Sequence, residues 1–510
     1  MILRINGDIN QYYVQTLCMV FFPGAKFSEE AVRDKDTPRV TVHVRSYKNG
    51  NVKSTVEIKA YGKVSRSEVV VAPSSDLVPE RLKKIAVGRA MFAAGKDMFR
   101  HIPPWGILTG VRPAKVAMEL LDKGNGITRS VRILRDEYFL NPKKAALAVA
   151  VANKERALTR SLPERQCSIY ISIPFCPTRC TYCSFVSYTS SKLLSLIEEY
   201  LEKLYVDLES MVGVIRELGL QIATVYIGGG TPTVLTPEQL KTLLQKIASL
   251  VDVSSLMEFT LESGRPDTIT EEKMQIAKQY GVTRVSVNPQ TLSDEILKKI
   301  GRAHTVEDFY RAYRIAKEAG IPHINVDVIA GLPGDTFANF SHTIDEIIAL
   351  RPDNITVHTF CVKRSSTVRR EQSDVYSLTG GDAGKSVSYS QLKTKFAGYK
   401  PYYLYRQKNT VGNLENVGYA IDGTEGMYNI FTMEELHSIF SVGAGAVTKL
   451  VAPQIPGQRK RHIERLFTPK YPYEYLRDAD AIREGDEAEG RPSIREKIIA
   501  FYRENGMTES

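Results

Sequence analysis

Two hydrophobic rhythms alternate along the middle of the chain. Short apolar runs at 168–173, 224–227, 258–261, 284–287, 323–329 and 354–359 have the length and β-branched content of buried strands. Between them, 194–218, 237–250, 271–280, 306–319 and 338–350 carry apolar residues three to four apart, the spacing of one helix face. Several of these helical stretches follow a Ser or Thr suited to accept hydrogen bonds from the first turn. Six strand-helix units in series predict a parallel sheet, and right-handed crossovers curl such a series into a barrel or partial barrel. The expected fold class is α/β, with a partial (β/α)6 barrel over residues 166–361.

On either side the rhythm differs. Residues 1–165 mix strand-like runs at 39–45 and 55–60 with helical ones at 80–98 and 113–121, which predicts an N-terminal α+β domain. The single tryptophan lies in Pro104-Trp-Gly-Ile-Leu-Thr-Gly-Val-Arg-Pro113, which reads as a structural turn in preference to a partner-binding loop. After residue 361 the strand-helix pattern stops. Residues 362–510 are expected to form a small C-terminal region folding back over the barrel mouth, with a charged tail beyond Glu474.

Composition adds three constraints. At 510 residues and 43% hydrophobic content the chain can bury sizeable cores. No window approaches about 18 consecutive apolar residues and the first residues lack a leader pattern, so a soluble, cytoplasmic protein without a membrane span is expected. The net charge of +10 comes from the N-terminal third: up to Gln166 there are 29 Lys and Arg against 16 Asp and Glu, and 39 against 42 thereafter. A basic region of that kind suits a solvated face, nucleic acid, an anionic membrane, or an acidic protein or ligand.

Six cysteines are too few for a secreted disulfide framework in a chain this long. Cys18 and Cys167 read as buried small hydrophobes and Cys361 also stands apart, but Cys176-Pro-Thr-Arg-Cys180-Thr-Tyr-Cys183 follows the first core strand directly. A structural zinc site needs four closed ligands, and no second pair or nearby His completes one. Three thiolates on a four-iron four-sulfur cluster would leave one iron open for something that reacts. Loops after the next strands hold Gly228-Gly-Gly-Thr-Pro-Thr233, Glu262, Gln290 and Asp327, where strand ends gather in such a fold.

The CxxxCxxC spacing after the first strand of a six-fold strand-helix series resembles that of radical S-adenosylmethionine (SAM) enzymes. The resemblance implies that Cys176, Cys180 and Cys183 hold a 4Fe-4S cluster whose open iron chelates SAM, with Tyr182 against the adenine. It further implies SAM contacts from Gly228, Gly229, Gly230, Thr231, Glu262, Gln290, Arg302 and Asp327, with Tyr170 beside them.

Within that group, Tyr170-Ile-Ser-Ile-Pro-Phe-Cys176, Arg284-Val-Ser-Val-Asn-Pro-Gln290, Gly301-Arg-Ala-His304, Asp327-Val-Ile-Ala-Gly-Leu-Pro333 and Gly443-Ala-Gly-Ala446 are similar to oxygen-independent coproporphyrinogen III oxidases. The long N-terminal region, His358-Thr-Phe-Cys-Val-Lys-Arg364 and Arg406-Gln-Lys-Asn resemble their HemZ-type branch. That resemblance implies oxidative decarboxylation of propionates to vinyl groups in heme biosynthesis. The tetrapyrrole carboxylates would meet Lys363, Arg364, Arg406 and Lys408, and electrons would come from a donor such as a flavodoxin or ferredoxin. Two departures keep alternatives open. Ser184-Phe185 replaces a further cysteine of the oxidases, and Tyr428-Asn-Ile-Phe-Thr-Met433 lacks the His and Trp of the related heme chaperones. The alternatives are a heme-delivery protein, for which His358, Cys361 or Tyr428 could ligate iron, and a radical SAM RNA-modifying enzyme suggested by the basic N-terminal third.

Overall fold

The computed structural model describes residues 1–28, 36–73, 77–183, 188–361, 380–408, 410–455, 461–477 and 492–507. An N-terminal sheet is formed by β1 (Ile2–Asn6), β2 (Arg39–Ser46), β3 (Val52–Ala60) and β4 (Lys63–Val71), in that order. Alternate residues of β2 and β3, among them Val40, Val42, Val56 and Ile58, pack against Val14, Leu17 and Cys18 of helix Gln11–Phe21 and Met91 of helix Pro79–Phe99. This is the period-two pattern of a sheet covered on one face.

The central series runs β5 (Gln166–Ile173), β6 (Gln221–Gly229), β7 (Glu258–Leu261), β8 (Arg284–Ser286), β9 (His323–Ala330) and β10 (Asn354–Thr359). Each strand pairs in parallel with the next. Polar side chains fix where the intervening helices begin. Thr236 and Gln239 form a reciprocal capping box at helix Pro237–Leu250, Thr305 and Asp308 form another at Val306–Glu318, and Thr336 caps Phe337–Leu350. β5 and β10 do not pair, so the series is open, as a partial barrel requires.

The C-terminal region extends both edges of this sheet. β11 (Lys400–Arg406) and β12 (Glu415–Ala420) add antiparallel strands beside β10. On the other side β13 (Ser438–Val442) pairs in parallel with β5, followed by antiparallel β14 (Val447–Val451) and β15 (Ile463–Phe467). β5 begins at Gln166 and β10 ends at Thr359, and the sheet continues without a break into the C-terminal strands.

The Trp105 loop is structural. Trp105 is fully buried and its indole N–H donates to Glu415 Oε2 (2.9 Å), while the Lys144 ammonium pairs with Glu415 Oε1. Arg406 packs over the Trp105 ring, and its Nη1 and Nη2 donate to the Leu108 carbonyl (2.5 Å) and Asn413 Oδ1 (2.5 Å). The N-terminal region is thereby tied to β11 and β12. No helix of the described residues is long and apolar enough to cross a membrane.

Glu415 is the node of this joint, and its removal would strand a buried ammonium and a buried indole donor. Glu415→Ala is expected to cost about 3–5 kcal/mol in urea unfolding. Glu217→Ala, which breaks the half-exposed pair with Arg495, should cost about 1 kcal/mol at most.

Candidate active site

Because β5 to β10 run parallel, their C-terminal ends and the loops that follow converge on one cavity of about 390 Å³. The loop after β5 brings Cys176, Cys180, Tyr182 and Cys183 to its wall. Backbone bonds hold that loop in place: the Cys176 N–H donates to the Tyr188 carbonyl (3.1 Å), Thr181 N–H to Ile300 (3.0 Å) and Cys183 N–H to Cys180 (3.1 Å). Cys176 Sγ lies 3.4 Å from Thr231 Oγ1. Burial pushes the Cys176 thiol up to about 11 in the metal-free state.

Gly228 and Gly229 end β6 and Gly230 follows it, and their missing side chains answer a local packing demand. A Cβ on Gly228 would come within 2.6 Å of Glu262 Oε2 and of the Tyr226 ring, and one on Gly230 within 2.5 Å of the Phe175 carbonyl. The absence of side chains lets Glu262 lie across β6 and lets the turn press against the cysteine loop. There the Gly230 and Thr231 N–H groups donate to Ile173 and Phe175 (both 2.8 Å).

Two carboxyls on the wall are driven in opposite directions. Burial, reinforced by the nearby Asp327 charge, pushes Glu262 up to about 8, against hydrogen bonds from the Gly229 backbone and Tyr226. Burial also works against Asp327, but hydrogen bonding and the charge of His358, with Asn325 and Thr356, outweigh it and hold that carboxyl below its ordinary range. Asn288 Nδ2 donates to Asp327 Oδ2 (3.0 Å) and Asn325 Nδ2 to Oδ1 (2.7 Å), with His358 Nε2 3.5 Å away. At neutral pH these two carboxyls offer one protonated and one ionised group.

The donor set fits a three-thiolate cluster. Cys176, Cys180 and Cys183 share the cavity, and among the described residues no three His, Cys, Asp or Glu close on a single ion. In a four-iron cluster each thiolate binds its own iron, so convergence on one point is not required. Gln290 Oε1 is a buried acceptor in the wall without a hydrogen-bond partner among the described residues, which suits a polar ligand.

The cavity thus gathers the three cysteines, Tyr182, Gly229, Gly230, Thr231, Glu262, Gln290, Arg302 and Asp327. Arg302 is largely occupied by protein: Nη1 donates to the Asn288 (2.6 Å) and Gly264 (3.1 Å) carbonyls and Nε to Tyr182 Oη (3.3 Å). Gly228 and Tyr170 stand behind the wall, Tyr170 stacking on Tyr226 (5.9 Å) and Tyr428 (6.4 Å). Of the expected carboxylate anchors, Arg406 requires correction. It is 4% exposed, engaged with Leu108, Asn413 and Trp105, and outside the cavity wall. Lys408 is exposed, with Nζ 3.9 Å from the Tyr12 ring centroid, one residue beyond the cavity-lining Gln407. Lys363, Arg364 and the Ser184-Phe185 departure lie outside the described residues.

Sequence reasoning missed Arg265, Tyr226, Asn288, Asn325 and the tyrosines of β11. Tyr402, Tyr403 and Tyr405 line the cavity, and Tyr405 Oη lies 3.1 Å from His358 Nδ1. Arg265 carried a usable signal, since Gly264-Arg-Pro-Asp267 lies in the loop just after β7 and Glu262. The β11 tyrosines carried none, because their strand reaches the site only through antiparallel pairing far along the chain.

The radical SAM superfamily model matches residues 170–347. The chain is 39% identical over 351 residues to the oxygen-independent coproporphyrinogen-III oxidase-like protein HemZ of Bacillus subtilis (strain 168), covering 68% of this chain and 70% of that one. It is 38% identical over 198 residues to heme chaperone HemW of the same organism, covering 38% and 51% respectively. Among solved structures, the radical SAM coproporphyrinogen III oxidase (HemN) of Escherichia coli aligns with a TM-score of 0.45 at 18% identity, over 64% of this chain and 71% of that one.

The raised pKa of Glu262 has a stability consequence. Between the ordinary carboxylate range and about pH 8 the unfolded chain loses a proton that the folded protein keeps, so ionisation favours unfolding and stability falls as pH rises through that window. Glu262→Gln removes the titration. In the metal-free protein the stability advantage of this variant over native should be larger at pH 8 than at pH 5, growing by at most about 1.4 kcal/mol per pH unit, in paired urea unfolding curves.

Proposed function

The chain belongs to the HemZ-like branch of the oxygen-independent coproporphyrinogen-III oxidase-like proteins within the radical SAM superfamily, and on that premise we propose that it oxidatively decarboxylates coproporphyrinogen III. In the proposed reaction each of two propionate side chains loses a hydrogen atom, carbon dioxide and an electron, and becomes a vinyl group. The observation that carries the proposal is the joining of a three-cysteine loop to a polar cavity large enough to extend past it to β10 and β11.

A 4Fe-4S cluster and SAM are the cofactors of this family; together they supply the one-electron chemistry that removes an unactivated hydrogen atom. Cys176, Cys180 and Cys183 would hold the cluster. Glu262, protonated at neutral pH, can donate a hydrogen bond, whereas Asp327 and Gln290 Oε1 can only accept through their oxygens. That mix suits a ligand carrying both hydroxyl and amino or carboxylate groups. Packing against Thr231 leaves Cys176 8% exposed, whereas Cys180 and Cys183 are half-buried.

A second reading, heme binding and delivery, is favoured by the HemW relatives and by two cavity-lining residues able to ligate iron, His358 and Cys361. Tyr428 stands in the tyrosine stack behind Tyr226.

The test is anaerobic reconstitution with iron and sulfide, followed by incubation with coproporphyrinogen III, SAM and a strong reductant. Vinyl-bearing product is expected from native protein, and Cys180→Ala should abolish both the cluster absorbance and the product. Stoichiometric heme binding by a reconstituted protein that makes no vinyl product would overturn the enzyme assignment and support delivery.

A further inference from the structure

Arg265 stands in the loop after β7, and it touches the cysteine loop at three points. Its Nη1 donates to the Thr178 carbonyl (3.2 Å) and lies 3.7 Å from Cys180 Sγ, while Nη2 donates to Thr178 Oγ1 (2.8 Å). The opposite edge is gripped by Asp267, whose Oδ1 accepts from Nε (3.1 Å) and Oδ2 from Nη2 (3.2 Å). Behind Asp267 sits the buried His304 ring, with Nδ1 4.0 Å from Oδ1. Arg265 as a whole is 3% exposed.

This arrangement needs a planar fork. One edge of the guanidinium makes a two-point bond to a carboxylate while the other reaches a carbonyl, a hydroxyl and a sulfur, a geometry that a lysine ammonium cannot satisfy. Thr178 Oγ1 in turn donates to the Gly301 carbonyl (3.2 Å), so the loop is braced between the segments that follow β7 and β8. A cation this close to a ligating sulfur stabilises the more negative, reduced state of a cluster, and hydrogen bonds to cluster sulfurs act in the same direction.

We infer that Arg265 is a positioning residue that presets the cysteine loop and raises the reduction potential of the cluster held there. The inference rests on the assignment of Cys176, Cys180 and Cys183 as cluster ligands. It gives the Arg265–Asp267 pair a role in tuning electron entry, distinct from contacts to SAM.

The experiment is an EPR-monitored redox titration of the reconstituted full-length protein without SAM, with iron content measured alongside. Arg265→Gln should shift the midpoint to more negative values, or lose iron while the apo protein keeps its native circular dichroism. Arg265→Lys should fall between the two. Asp267→Asn, which leaves the cation and removes the opposing charge, should shift the midpoint the other way, and its sign decides the matter if Arg265→Gln does not fold. Native potential and iron content in both Arg265→Gln and Asp267→Asn, or a negative shift in Asp267→Asn, would overturn the inference. A native protein that binds no cluster would instead overturn the cysteine assignment on which it rests.

Discussion

Everything in the cavity depends on one constraint, the unbroken parallel order of β5 to β10. A parallel pair sends both carboxyl ends to the same side, so five successive pairings place the cysteine loop, Glu262, Arg265, Gln290 and Asp327 on one rim although Cys176 and Asp327 stand 151 positions apart. Register matters as much as direction. Asp327 opposes Thr356 across β9 and β10, and its N–H donates to Asn288 Oδ1 (3.0 Å). A slip of one residue would turn its carboxylate to the opposite face and leave His358 without it.

Given that scaffold, the wall spends its polar groups on one another before any ligand arrives. Arg302 donates to two backbone carbonyls, Arg284 pairs with Glu258 and donates to the Thr424 carbonyl (2.8 Å), and Arg265 is shared between Asp267 and the cysteine loop. Buried charges need such partners, since an unpaired one would cost several kcal/mol. The same networks fix side-chain positions in advance, which lowers the ordering cost of holding a cofactor.

The core's six strands and the ends of its helices were legible because period and capping are local signals: Thr236, Thr305 and Thr336 announce their helices within four residues. The cysteine spacing was legible for the same reason. Arg406 was misread because sequence gives its charge and not its neighbours; Trp105 and Leu108, which bury it, lie some 300 residues earlier. The glycines of the β6 loop were read for the right property, lack of a Cβ, but their closest demands come from Glu262, Tyr226 and Phe175. β13 escaped the sequence reading as a member of the parallel set, since it reaches β5 only after the chain has passed through both antiparallel strands on the far edge.

The use of every cavity arginine by protein atoms bears on how a polycarboxylate could be held. Among the described residues of the wall, the remaining basic side chain is His358, and it already faces Asp327 and Tyr405. Carboxylates of a bound tetrapyrrole would therefore be met at the rim, where Lys408 follows Gln407 and rests on Tyr12, in preference to the depth of the cavity. Such a division has a physical advantage. Cations at the rim stay hydrated until a ligand displaces the water, so they need no buried counter-charge. If a polycarboxylate binds as proposed, Tyr12 of the helix packed on the N-terminal sheet would lie beside Lys408 at that rim.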